Sequence, residues 1–196
     1  MNFAELEKKV AAYTGPKIGF VLTGGGIGVA QLPMVIGASK LIHAIHIPYA
    51  FEETARFITE AYGEDGGLGQ AMNYEARAVC EASALILASA AEKTWSPKEH
   101  LLADVGHGSL GFVVCTAATT TSRWRRGDNH AWIGIVKPGF TSLEERVSLH
   151  HLKLDKLTEE DYNKAGMGYV AWKRRDEDRR ITEFILNQVF EVLGKE

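Results

Sequence analysis

Three observations in this sequence predict a three-layer α/β/α sandwich. A strand-like run, Lys17 to Leu22, passes through three consecutive glycines into a segment of helical spacing. A second, continuously apolar run from Gly111 to Ala117 has the composition of a central strand buried on both faces. Amphipathic helical patterns stand at both chain ends, so the strands lie interleaved with helices. The 196 residues suffice for one full core, and the chain is read as one domain over 1–196.

Each element has its own signal. Phe3, Leu6 and Val10 on one face predict a helix over 2–13, ended by Thr14-Gly15-Pro16. Thr23 ends the first strand, and Gly24, Gly25 and Gly26 make a turn. Val29, Leu32, Val35 and Ile36 then predict a helix to about Met34. Gly37-Ala38-Ser39-Lys40 punctuates, and Leu41 to Tyr49 reads as a second strand holding His43 and His46, with Pro48 at its edge or end. Phe51 to Tyr62 is a short acidic helix, and Gly63 to Gly69 a mobile loop. Asn73 caps a long helix, Glu75 to Lys93, whose stripe is Ala76, Val79, Cys80, Leu87 and Ala90. Ser96-Pro97 breaks the chain, and Leu101-Leu102 forms an apolar patch.

Beyond the apolar run, Thr119 to Asn129 is a polar, basic loop and His130 to Val136 a strand turned by Pro138-Gly139. A further strand sets Val147, Leu149, His151 and Lys153 against Ser148, His150, Leu152 and Leu154. A final helix from about Asp176 to Leu193 buries Ile181, Phe184, Ile185, Val189 and Val192. The run Lys173 to Arg180 solvates its start, with Asp176 and Asp178 in the first turn; the lesser alternative is a phosphate role for Arg179 or Arg180.

A composition of 45% hydrophobic and 24% charged residues is that of a globular domain. A formal charge of −3 provides no field for a nucleic acid polymer or an anionic membrane. Two cysteines, Cys80 and Cys115, make no disulfide framework and indicate a reducing compartment. No run approaches membrane-spanning length and no basic-then-apolar leader opens the chain, so a cytoplasmic location is expected.

Two places can carry chemistry. The glycine turn exposes helix-start amides that favour anions, and Thr23 adds a hydroxyl. It is no Walker A loop, because Ile27-Gly28-Val29 stands where Gly-Lys-Ser/Thr is needed, and Val29 replaces the third glycine of the dinucleotide fingerprint. An anion there would be held by backbone alone. The equal alternative is a turn that only packs a helix closely on its sheet. The second place is Cys115 to His130, where a strand runs into Thr116, Thr119, Thr120, Thr121 and then Arg123, Arg125 and Arg126. Arginine forks match phosphate oxygens. Thr23 and Thr116 at strand ends predict that turn and loop face one crevice. Trp124 can stack on a base, Cys115 reads as a buried structural thiol, and no metal site is expected. Adjacent His150 and His151 point to opposite faces, while His100, His107 and His130 lack zinc spacing.

The strand with Thr23-Gly24-Gly25, the Gly37-Ala38-Ser39 turn, Tyr49, and Arg179, Arg180 and Thr182 of the last helix resemble the C-terminal domain of the competence-damage protein CinA. That is the nicotinamide-nucleotide amidase family, which releases the amide of nicotinamide mononucleotide as ammonia. Cys115-Thr116-Ala117 followed by Arg123-x-x-Arg126-Gly127-Asp128 looks closer to a divergent branch, in some of whose members a nucleotidyltransferase-like domain accompanies this one. The chain is too short to hold both.

The resemblance implies a domain of the CinA C-terminal type, homo-oligomers, no cofactor, and a small phosphorylated ligand, a pyridine nucleotide first among candidates. The position of the family's nucleophilic serine is Val21, that of its assisting lysine Thr54, and that of the acidic residue before the serine Phe20. The implied protein is therefore a diverged binding domain in which Gly24, Gly25, Gly26, Thr116, Arg123 and Arg126 hold the ligand. An active hydrolase on a pyridine nucleotide or related amide would need a rebuilt set. Ser39, Thr23 or Thr116 would supply the hydroxyl, with Tyr49 to orient it. A non-catalytic protein-interaction domain is the third reading.

Overall fold

The computed structural model describes residues 3–76, 78–95, 110–139, 141–164 and 166–194. The predicted break at Ser96-Pro97, the Leu101-Leu102 patch, His100 and His107 lie outside them. In chain order the elements are α1 (Phe3–Ala11), β1 (Ile18–Thr23), a 3-10 segment (Ile27–Met34) and a short 3-10 turn (Ala38–Lys40). Next come β2 (Ile42–His46), α2 (Phe51–Tyr62), α3 (Glu64–Ala76), α4 (Glu81–Trp95), β3 (Gly111–Ala118) and β4 (Asn129–Val136). The chain ends with α5 (Leu143–Arg146), β5 (Val147–Leu154), α6 (Glu159–Lys164) and α7 (Met167–Val192).

The strands form one mixed sheet in the order β2-β1-β3-β4-β5. β1 pairs in parallel with β2 and β3, whereas β4 and β5 are antiparallel to their neighbours. Strand alternation divides the core into two layers. Phe20, Leu22, Val113 and Cys115 meet Leu6, Val10, Leu32, Ile181 and Ile185 from α1, the 3-10 segment and α7. Val21, Phe112 and Val114 meet Phe57, Ile58, Tyr74, Leu87 and Ala91 from α2, α3 and α4. This is the expected α/β/α sandwich. No helix among the described residues is long and apolar enough to cross a membrane.

Several elements differ from the sequence expectation. The segment after the glycines is 3-10 rather than α, for Pro33 removes an N–H that an α ladder needs. Val29, Leu32 and Val35 are buried as expected, but Ile36 is 78% exposed, and Phe3 is 40% exposed. β2 stops at His46, short of Tyr49. The expected mobile loop at Gly63–Gly69 is instead the start of α3. A Cβ on Gly67 would stand 2.5 Å from the Thr59 carbonyl oxygen, so glycine lets α3 lie against the backbone of α2. That contact outweighs the low helix propensity of glycine.

The single helix expected over Glu75–Lys93 is divided. Asn73 sits inside α3, and a bend at 78–80 precedes α4. The carbonyl of Ala78 in that bend accepts the Thr116 hydroxyl from β3 instead of continuing a helical ladder. α7 begins at Met167, not near Asp176, so the run Lys173 to Arg180 lies inside it. Lys173 and Glu177 of that run are buried, which its charge pattern alone did not announce.

Candidate ligand-binding site

The carboxyl ends of β1, β2 and β3 lie at one end of the sheet, and the glycine turn leaves β1 there. Gly24 and Gly26 take φ of 78° and 77°, the left-handed region that side chains avoid. A Cβ at Gly24 would stand 2.0 Å from the Ala117 carbonyl oxygen, and one at Gly25 2.6 Å from Ile181 Cδ1. The turn is wedged between β3 and α7. Two amides just after the turn are already occupied. Ile27 N–H donates to Asp178 Oδ1 at 2.9 Å and Gly28 N–H to Asp178 Oδ2 at 3.2 Å. A carboxylate from α7 therefore sits where a ligand anion was expected on the backbone.

The basic loop is anchored from the same helix. Glu177, with no exposed surface, accepts from Thr120 N–H at 2.6 Å, Thr120 Oγ1 at 2.9 Å and Asn129 Nδ2 at 2.8 Å. Arg125 donates to Asn129 Oδ1 at 2.9 Å and Arg174 to the Thr120 carbonyl at 3.0 Å. Two guanidinium groups thus stand one residue beyond the buried carboxylate. Arg123 and Arg126 are exposed, and their carbonyls accept from Thr121 Oγ1 and Lys156 Nζ. Trp124 lies under the Lys156 ammonium at 5.0 Å, so a cation already covers a face of that ring.

Between turn and helix opens a cleft of about 510 Å³. Gly24, Ile27, Gly28, Gln31 and Thr119 line it from the turn, the 3-10 segment and the loop after β3, Arg174, Arg175, Asp178, Arg179 and Thr182 from α7, and Phe3 from α1. Among the described residues, Arg174 bonds only neutral oxygens, the Thr120 carbonyl and the Tyr49 hydroxyl, each at 3.0 Å, so these contacts leave its charge unneutralised. Arg175 has no ion-pair partner among the described residues. Arg179 is held by Asp176 at 2.8 Å and Glu183 at 3.0 Å. Thr182 is 3% exposed and its Oγ1 has no hydrogen-bond partner among the described residues. A Cβ on Gly28 would come within 2.6 Å of that oxygen, so glycine keeps the cleft open to it.

The residues singled out in the sequence are distributed among three places. Gly24 lines the cleft, and Tyr49 joins its rim through Arg174. Thr23 and Thr116, paired across β1 and β3, face the opposite layer rather than the crevice. Thr116 is a residue of β3 proper, 1% exposed, and its hydroxyl is engaged by Ala78 and by Tyr74 at 3.4 Å. Burial raises the Tyr74 pKa, opposed by its hydrogen bonds with Thr116 and Thr23. Ser39 precedes β2 and Tyr49 follows it, so the strand holds them at opposite ends of the sheet. Cys115 is fully buried, and burial pushes its thiol far above the usual range, which keeps it protonated.

Arg174, Arg175 and Asp178 join the site beyond the residues read from the sequence, because α7 begins at Met167 and carries all three toward the cleft. Their signal is the spacing 174, 175, 178, 179, 182, which is one face of an α-helix.

No protein-family model matches the sequence, and no curated protein matches it significantly. Solved structures do resemble it. A competence-damaged protein (CinA) superfamily protein from Escherichia coli is 12% identical with a TM-score of 0.58, over 97% of this chain and 87% of that one. A competence/damage inducible protein from Agrobacterium tumefaciens is 13% identical with a TM-score of 0.54, over 97% and 94% of the two chains. A CinA superfamily protein from Klebsiella pneumoniae is 11% identical with a TM-score of 0.51, over 93% and 99%. The fold is that of the CinA superfamily proteins.

Proposed function

We propose that this CinA-type domain is a binding protein for a small phosphorylated ligand, seated in the cleft between the glycine turn and α7. One observation carries the reading: Arg174, Arg175 and Arg179 line one wall of the cleft, and among the described residues Arg174 is bonded only to neutral oxygens. The phosphate is assigned to these guanidinium groups and not to the Ile27 and Gly28 amides, which donate to Asp178. The resemblance noted in the sequence makes pyridine mononucleotides the first compounds to try.

A thermal-shift panel of mononucleotides and pyridine nucleotides tests this. A ligand at a hundred times its Kd that binds only the folded state stabilises it by roughly 2.7 kcal/mol. Arg174→Ala removes a charge-assisted contact worth about 1.5–3 kcal/mol, so affinity should fall by roughly 10- to 100-fold. Silence across the panel, or equal shifts in wild type and Arg174→Ala, overturns the proposal.

Amide hydrolysis by the family's chemistry is not expected. Val21 has no exposed surface and no nucleophile, and Thr54 is 1% exposed with its hydroxyl donated to the Pro48 carbonyl at 3.0 Å. Purified protein should release no ammonia from nicotinamide mononucleotide above the rate without protein. A robust rate that survives Val21→Ala would instead identify a rebuilt catalytic set.

One observation favours a protein-interaction domain as the second reading. Met167, Tyr169 and Trp172 at the start of α7 are 64%, 48% and 52% exposed, and the two rings stack at 5.6 Å. A silent ligand panel with Trp172-dependent self-association would favour that reading.

A further inference from the structure

The geometry points to a two-histidine binding site for a divalent transition-metal ion of the copper–nickel type, formed by His130 on β4 and His151 on β5. It is independent of the cleft. His130 Nδ1 and His151 Nε2 stand 3.0 Å apart, their rings nearly perpendicular at 83°. The two residues are not directly opposite: His130 pairs with Lys153, and His151 with Trp132, so the imidazoles meet diagonally across the ladder. Sequence spacing could not reveal this pair, because 21 residues separate them and the hairpin register alone brings them together.

Two features suit the pair to a metal. Trp132 stacks on His151 at 4.5 Å with an interplanar angle of 8°, which fixes one ligand ring. His151 is exposed and His130 half-buried, so an ion can reach the nitrogens and keep open positions for water. Without metal, one ring N–H points at the other ring's lone pair. With both rings neutral, metal binding moves that proton to the ring's remote nitrogen, with no net proton release.

The distance allows shared coordination. Nitrogens 3.0 Å apart, each at the usual ~2.05 Å from an ion, subtend about 94°. That is close to the cis angle of a square or octahedral set, and imidazole pairs follow the order in which Cu2+ binds more tightly than Ni2+ or Zn2+. Asp128 adds favourable negative charge near His130, and Arg125, tied to Asn129, acts against it. No group of three or more His, Cys, Asp or Glu suited to a metal stands among the described residues, so water completes the coordination.

Titration of the full chain with Cu2+ in a non-coordinating buffer, followed by electron paramagnetic resonance, is the test. One ion per chain should bind at this site with an axial spectrum split by two nitrogens, and Zn2+ should compete more weakly. His130→Gln and His151→Gln should each weaken binding at least about tenfold and leave one nitrogen. His150→Gln, whose side chain points to the other face, should change nothing. Thermal melts check that each variant is folded; if either is not, the wild-type spectrum decides. No saturable binding below millimolar Cu2+, a spectrum without paired nitrogens, or unchanged binding in both folded variants overturns the site.

Discussion

Gly24→Ala is expected to destabilise the protein by about 2–5 kcal/mol, a large fraction of a marginally stable domain's total. Two costs add. The residue sits at φ 78°, where a Cβ brings backbone strain of about 1–2 kcal/mol. The new methyl would also stand 2.0 Å from the Ala117 carbonyl oxygen. That neighbour is backbone of a central strand, so it cannot rotate away as a side-chain tip would, and overpacking of this kind costs about 1–3 kcal/mol or more. Gly127→Ala is the control, because a Cβ there meets nothing within 4 Å. Urea denaturation of the two variants checks the contrast. A Gly24→Ala protein within 1 kcal/mol of wild type would mean that the turn is not wedged against β3.

Removing the Glu177 carboxylate should cost a similar amount. Glu177→Ala leaves the Thr120 N–H and the Asn129 amide without their buried acceptor. Each orphaned donor costs about 1–3 kcal/mol, so a loss of about 3–5 kcal/mol is expected once the vacated volume is included. Glu177→Gln keeps the shape and one acceptor oxygen but sets an amide N–H against a donor, so its loss should be roughly half as large. The damage spreads in a defined direction. Asn129 and Thr120 carry the bonds to Arg125 and Arg174, so the basic loop and the wall of the cleft should lose order together. Denaturant midpoints for Ala, Gln and an exposed control, Glu144→Ala, measure the stability series; hydrogen exchange at 119–129 reads the loop. Glu144→Ala should stay within about 0.5 kcal/mol of wild type. Equal midpoints for all three variants would remove Glu177 from this role.

The chemistry of the turn shows how a correct local reading can still assign the wrong partner. Glycines between a strand and a helix-like segment do expose amides, and those amides do hold an anion. The anion is Asp178, which lies 151 residues from Ile27. Its selection depends on where α7 crosses the sheet. The acidic-basic run Lys173 to Arg180 resembled a solvated helix start because charges in sequence carry no sign of depth. Within α7 the same run presents Glu177 to the basic loop, Asp178 to the turn and Arg174, Arg175 and Arg179 to the cleft.

Local pattern by itself determined the sandwich: apolar runs long enough for β1 and β3, alternation along β5, and the helical stripes of α1 and the later turns of α7. Burial of apolar surface has a period, and a period is written in the chain. Tertiary structure alone decided that glycine-rich 64–69 is helical, because Gly67 meets the backbone of α2. It also decided that Ser39 and Tyr49 stand at opposite ends of β2, that Thr116 faces Tyr74 rather than the cleft, and that His130 meets His151. Each of these depends on a contact between distant segments, whose energy exists only after the sheet has set their register.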